Sequence, residues 1–149
     1  LRKGEGDITL DVYGWKDISK AFDSIYFSSH SKADINSTVI LSDKWFAAAH
    51  IEYYVAKPLG IPTVAVGPVD DIHQYHWLNQ QQGLPGGEKD AYIISPSNCL
   101  AQQKVFTVLS NSMPSKTDTF IQYRNKEAAR KFYIYYYRKV SVDFNKTGY

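Results

Sequence analysis

Short unbroken apolar runs alternate along this chain with stretches in which apolar residues recur every three or four positions, a pattern that predicts strands separated by helices. Thr38-Val39-Ile40-Leu41 is one such run, in the form of a strand buried on both faces. Ser42-Asp43 follows, and either side chain can cap a helix by accepting from free backbone N–H groups. A helix is predicted from about Lys44 to Lys57, with Trp45, Ala48 or Ala49, Glu52 and Val55 on successive turns and with Pro58 and Gly60 ending it. Ile61 to Val66 reads as a second strand with Pro62 at its start, and a right-handed crossover makes it parallel to the first.

The flanking pattern extends this unit. Ile18, Ala21, Phe22 and Ile25 fall at helical spacing between Trp15 and about Phe27, with Asp17 where the helix dipole favours an anion. Gln80 to Asp90, with three glycines and a proline, predicts a loop, Ala91 to Ser95 a third buried strand, and about Leu100 to Leu109 a helix. Asp118 to Tyr123 and Ala129 to Val142 predict two strands joined at Arg124-Asn125-Lys126-Glu127, with Phe132, Ile134 and Tyr136 on one face and Tyr133, Tyr135 and Tyr137 on the other. Leu1 to Leu10 predicts a poorly ordered or edge segment, and Asp143 to Tyr149 a frayed tail. The expected fold is a single α/β domain over residues 1–149, three-layer α/β/α and Rossmann-like. Its mainly parallel sheet is extended by a C-terminal antiparallel hairpin.

Composition changes this picture only at the margins. A chain of 149 residues can bury a full core, and the 12 tyrosines point to half-buried sheet faces or a contact surface. A net charge of +2 with scattered basic residues argues against a nucleic-acid partner. The lone Cys99 rules out an internal disulfide, and no apolar window of about 20 residues is long enough to span a bilayer. The start at Leu1 is expected to be that of a fragment of something longer.

Candidate chemistry gathers at the ends of the first two strands. The turn Ser42-Asp43-Lys44-Trp45 has no glycine for a phosphate to approach, so no nucleotide cofactor, and no other cofactor, is expected. Asp43 is expected to cap the helix or to face a sugar hydroxyl. The run Asp70-Asp71-Ile72-His73-Gln74-Tyr75-His76-Trp77 is the densest polar cluster. On one helix Asp70, His73 and His76 would supply three ligands to zinc or a similar metal. Otherwise Asp70 or Asp71 caps a short helix, or Tyr75 and Trp77 with their polar neighbours contact carbohydrate. Glu52 with Asp70 or Asp71 is a possible acid/base pair. His50 is expected to be packed, and Gly-x-Ser-x-Gly is absent.

Val39 to Ala49, then Tyr53-Tyr54, then Pro62 to Val66, then Gln74-Tyr75-His76-Trp77 together resemble the soluble C-terminal region of membrane glycosyltransferases, including protein O-mannosyltransferase-like enzymes and the aminoarabinose transferase of lipid A. Asp11-Val12-Tyr13-Gly14-Trp15 resembles the start of that region and Arg130 to Arg138 its closing strand. His76 stands where the pattern has an acidic residue, and Lys44-Trp45 replaces an aromatic-polar pair. The resemblance implies a non-catalytic extracytoplasmic domain on the periplasmic face of a bacterial inner membrane, belonging to an enzyme that uses a polyprenyl-phosphate-linked sugar. Its partners would be the membrane-embedded part of the same polypeptide and a lipid-linked sugar or glycan acceptor. Asp43, Asp70, Gln74, Tyr75 and Trp77 are the candidate contacts. Two other readings stay open: a freestanding metal-dependent hydrolase using Asp70, His73 and His76, and a carbohydrate- or protein-binding module without catalysis.

Overall fold

The computed structural model describes residues 3–110 and 112–144. Its centre is an open five-stranded sheet in the order β2-β1-β3-β5-β4, formed by β1 (Thr38–Ser42), β2 (Thr63–Ala65), β3 (Glu88–Pro96), β4 (Lys116–Arg124) and β5 (Glu127–Ser141). β1 pairs in parallel with both β2 and β3, whereas β5 pairs antiparallel with β3 and β4. The fold is mixed α/β, and parallel and antiparallel neighbours are equal in number rather than mainly parallel. The length of β5 is the reason: its 15 residues span both hairpin partners and draw Glu88 and Lys89 into β3 against Ser141 and Val140, where sequence predicted a loop.

Both faces of the sheet are covered. On one, Trp15, Ile18, Phe22 and Tyr26 of α1 (Trp15–Phe27) meet Ile40, Tyr92, Ile94, Phe132 and Ile134. On the other, Val39, Leu41, Ala91, Ile93 and Tyr137 meet Val105 of α6 (Gln103–Thr107) with Val108 and Leu109. The alternation predicted for β5 is observed, with Phe132, Ile134 and Tyr136 in the first core and Tyr135 and Tyr137 in the second. The hairpin turns at Asn125 and Lys126, both left-handed (φ 52° and 67°), the two-residue turn whose twist matches its strands.

The connection from β1 to β2 is one continuous helical run over 45–59, built of α2 (Trp45–Ile51), a π turn (Glu52–Ala56) and α3 (Lys57–Leu59). Gly60, left-handed at φ 76°, ends it, while Pro58 lies inside its last turn. The helix is capped at Lys44, not at Ser42 or Asp43, and its buried stripe is Ala47, Ala48, Ile51, Val55 and Ala56. Trp45 precedes that stripe and is 41% exposed. Beyond β2, α4 (Val69–Ile72) and α5 (Tyr75–Gln82) are separate short helices.

Two terminal expectations change. Leu10 is buried, residues 8–11 form a 3-10 turn, Ser97 Oγ donates to the Lys3 carbonyl at 2.6 Å, and Arg124 pairs with Asp7 at 2.6 Å, so the segment before α1 is tied down. Asp143 N donates to the Val108 carbonyl (2.9 Å) and Phe144 packs on the second core, so the start of the tail is docked; its remainder lies outside the described residues. The predicted helix at Leu100–Leu109 shortens to α6 because Gln102 is extended and its N–H is taken by the Asp43 carboxylate.

Gly14 is where the N-terminal segment meets the hairpin. It is left-handed (φ 69°), its carbonyl accepts from Gln122 Nε2 (2.6 Å), and a Cβ there would stand 1.9 Å from that nitrogen. Gln122 is itself buried and in turn accepts from the fully buried Arg130 (2.7 Å), so moving aside would break that bond. Gly14→Ala should destabilise the chain by about 1–3 kcal/mol, read as a lowered urea midpoint; an unchanged midpoint would show that the junction is not rigid.

Candidate functional site

The carboxyl ends of the parallel strands, where α/β folds collect ligands, are closed here by the protein's own ions. Asp43 at the end of β1 is 3% exposed and its Oδ2 accepts from the Gln102 N–H, fastening the start of α6. Burial pushes its carboxyl up to about 6, against the lowering effects of the Gln102 N–H and the Lys44 charge. Lys44 and Lys104 grip the two oxygens of Asp71 at 2.8 and 2.9 Å, which holds the Asp71 carboxyl below its usual range and locks α4 to the β1 turn and to α6. Asp43 is therefore an internal staple rather than an open contact.

The opening lies to the side. A third small core of Ala48, Ala65, Ile72 and Tyr75, with Ala49 and Leu78 against it, joins the β1–β2 helix to α4 and α5. Asn79 Nδ2 donates to the Ala65 carbonyl (2.7 Å) and pins α5 to the end of β2. Between the 45–59 helix and α5 remains a cleft of about 310 Å³ lined by Glu52, Tyr53, Lys57, Gln74, Tyr75 and Leu78. Tyr75 is buried and its OH donates to Glu52 Oε2. Burial, reinforced by that hydrogen bond and the Glu52 charge, holds the phenol far above its ordinary value, so it remains a donor at any physiological pH.

The π turn explains why these residues face one cleft. Its i→i−5 bonding, with Lys57 N–H reaching the Glu52 carbonyl, brings residues five apart onto one side of the helix, where an α-helix would separate them by more than a third of a turn. Glu52 and Lys57 then border the same space, with Tyr53 beside them and 66% exposed.

Of the five candidate contacts read from sequence, Gln74 and Tyr75 line this cleft. Asp43 is buried at the sheet end, and Asp70 and Trp77 are exposed outside the lining, Trp77 at 55% with its ring edge-on to His76. The metal geometry expected of Asp70, His73 and His76 required one helix, but the backbone breaks at His73 (φ 47°) into α4 and α5. His73 turns to Trp45 (5.4 Å between rings) and His76 to Trp77, and among the described residues no three His, Cys, Asp or Glu side chains come together as a metal-holding group. Glu52 is separated in role from Asp71, which its two lysines occupy. His50 is packed as expected, stacked on Trp15 at 4.7 Å. Among the described residues no helix is long and apolar enough to cross a membrane.

No family model, curated protein or solved structure matches the chain.

The raised Asp43 value gives a signed pH dependence. Because its folded-state value exceeds the unfolded one, the protonated form favours the fold: that stability is complete below about pH 4 and is lost as pH rises through about 6. Asp43→Asn keeps the acceptor for Gln102 and removes the charge. It should equal the parent near pH 4 and exceed it at pH 7.5 by on the order of 2–3 kcal/mol, measured by urea unfolding at both pH values. The same difference at both would contradict the assignment.

Proposed function

We propose that this chain is the extracytoplasmic C-terminal part of an integral-membrane glycosyltransferase that uses a polyprenyl-phosphate-linked sugar. It sits on the periplasmic face of a bacterial inner membrane, is itself non-catalytic, and covers the membrane-embedded cavity or positions the acceptor. The three-layer, Rossmann-like arrangement belongs to this proposal, and the two cores on opposite faces of the sheet support it.

One observation carries the reading. The four separated segments that resemble the membrane glycosyltransferases form a contiguous unit, β1, the 45–59 helix, β2 and the start of α5. Two of them, Tyr53-Tyr54 and Gln74-Tyr75-His76-Trp77, contribute Tyr53, Gln74 and Tyr75 to one cleft.

A second reading, a carbohydrate- or protein-binding module, is favoured by the exposed aromatics Trp45, Tyr53 and Trp77 around the same helices. The two differ in what lies in the rest of the polypeptide, and a transfer assay separates them. The chain alone should transfer no sugar from a polyprenyl-phosphate donor. The intact membrane protein should, and Gln74→Ala with Tyr53→Ala, both exposed side chains of the cleft lining, should lower kcat/KM for the acceptor about tenfold while leaving the donor KM unchanged, a loss of ~1.4 kcal/mol. Transfer by the chain alone, or unaltered acceptor kinetics, would overturn the proposal.

A further inference from the structure

The cleft between the π turn and α5 has a definite chemical character. About 310 Å³ is at the small end of ligand sites, enough for one ring-sized molecule and too little for a nucleotide or an oligosaccharide to be enclosed. Its two charged side chains are one carboxylate, Glu52, and one ammonium, Lys57, so the lining is neutral overall. An anion would meet Glu52 and a cation would meet Lys57. Among the described residues Glu52 belongs to no group of three His, Cys, Asp or Glu side chains that could hold a metal.

What the lining offers instead is a mixture of acceptors and donors around an apolar wall. The Glu52 carboxylate accepts, the Lys57 ammonium donates, and the Gln74 amide does both, which matches hydroxyl groups that each donate and accept. The Tyr53 ring, two-thirds exposed, and Leu78 supply apolar surface against which the C–H face of a sugar ring can lie. The Tyr75 hydroxyl is spent on Glu52 and so fixes that carboxylate before any ligand arrives. The π turn lies at this cleft, and such turns are concentrated at functional sites because their hydrogen bonding is otherwise unfavourable. By contrast, the larger groove of about 420 Å³ at the hairpin turn is lined by Arg124, Asn125, Glu127, Ala128 and Ala129, with no ring to stack on.

We infer that this cleft holds one neutral hexose residue of a glycan, in a site for the acceptor rather than for the charged donor. The inference deepens the proposed function and uses it only to say which sugar-bearing molecule is present. Binding itself stands on the lining.

The test is a titration of the ¹⁵N-labelled chain with methyl α-D-mannopyranoside, methyl β-D-glucopyranoside and methyl β-D-galactopyranoside, followed by amide shifts, with glucuronic acid as the charged comparison. At least one neutral glycoside should give saturable shifts centred on residues 49–57 and 74–78 with a dissociation constant in the millimolar range, about 1–10 mM. Tyr53→Ala, at an exposed position, should weaken binding at least about fivefold, and Glu52→Gln should weaken it as well. Tyr123→Ala, an exposed tyrosine on β4, should leave binding unchanged. No saturable shift with any glycoside, shifts centred elsewhere, tighter binding of glucuronic acid, or unaltered binding by Tyr53→Ala would each overturn the inference. Glycoside binding by a protein with no membrane part would leave the hexose site standing and remove both the glycosyltransferase reading and the acceptor assignment; a membrane part with no binding would overturn the inference and leave that reading standing.

Discussion

Among the described residues the buried Arg130 guanidinium has no carboxylate as an ion-pair partner, and the arrangement of the chain around it follows from that. It is 0% exposed and donates to Gln122 Oε1 (2.7 Å), Asn98 Oδ1 (3.3 Å) and the Tyr13 carbonyl (2.7 Å), and it lies over the rings of both Trp15 (4.8 Å) and Phe132 (4.5 Å). Burial draws its value down to about 10, so it is still charged at neutral pH. A buried charge of this kind is tolerated only if its donors and its faces are all engaged. Satisfying it requires β4, the turn after β3, the strand it stands on and the start of α1 to converge on one point.

From there the order passes inward to the cleft. Trp15, fixed by Arg130 and by its own Nε1–H to the Asp11 carbonyl (2.8 Å), stacks on His50 and meets Phe46 edge-on, which sets the position of the helix that carries Glu52 and Tyr53. On the far side, Lys44, Asp71 and Lys104 close the sheet end while Asn79 holds α5 to β2. The usual ligand position of an α/β sheet is thus filled by internal ion pairs, and the opening is displaced sideways between the 45–59 helix and α5.

Strand positions were legible because buried strands are written as apolar runs: Thr38 to Leu41 and Ala91 to Ser95 lie within β1 and β3, and the two aromatic faces of β5 follow from its alternation. α1 was legible for the same reason at helical period. The extension of β3 to Glu88 was not, since Glu88, Lys89 and Asp90 are polar and become strand only by pairing with β5 and β1. Asp43 was misread as a helix cap because its partner, Gln102, is distant in sequence. Of the candidate cleft, Gln74 and Tyr75 were legible as members of the polar run that follows the second predicted strand. Glu52 and Lys57 were not placed together because five-residue spacing joins side chains only across a π turn, which no local pattern announces. The break at His73, a left-handed residue that is not glycine, likewise carries no mark in sequence and separates the two histidines.

The most direct measurement is the reading frame upstream of Leu1 in the source gene, scored for apolar windows of about 20 residues that can cross a bilayer. A glycosyltransferase that takes its sugar from a polyprenyl phosphate requires several such windows, with this chain following the last of them on the side facing away from the positively charged loops. A frame without any such window would contradict the membrane-transferase assignment outright.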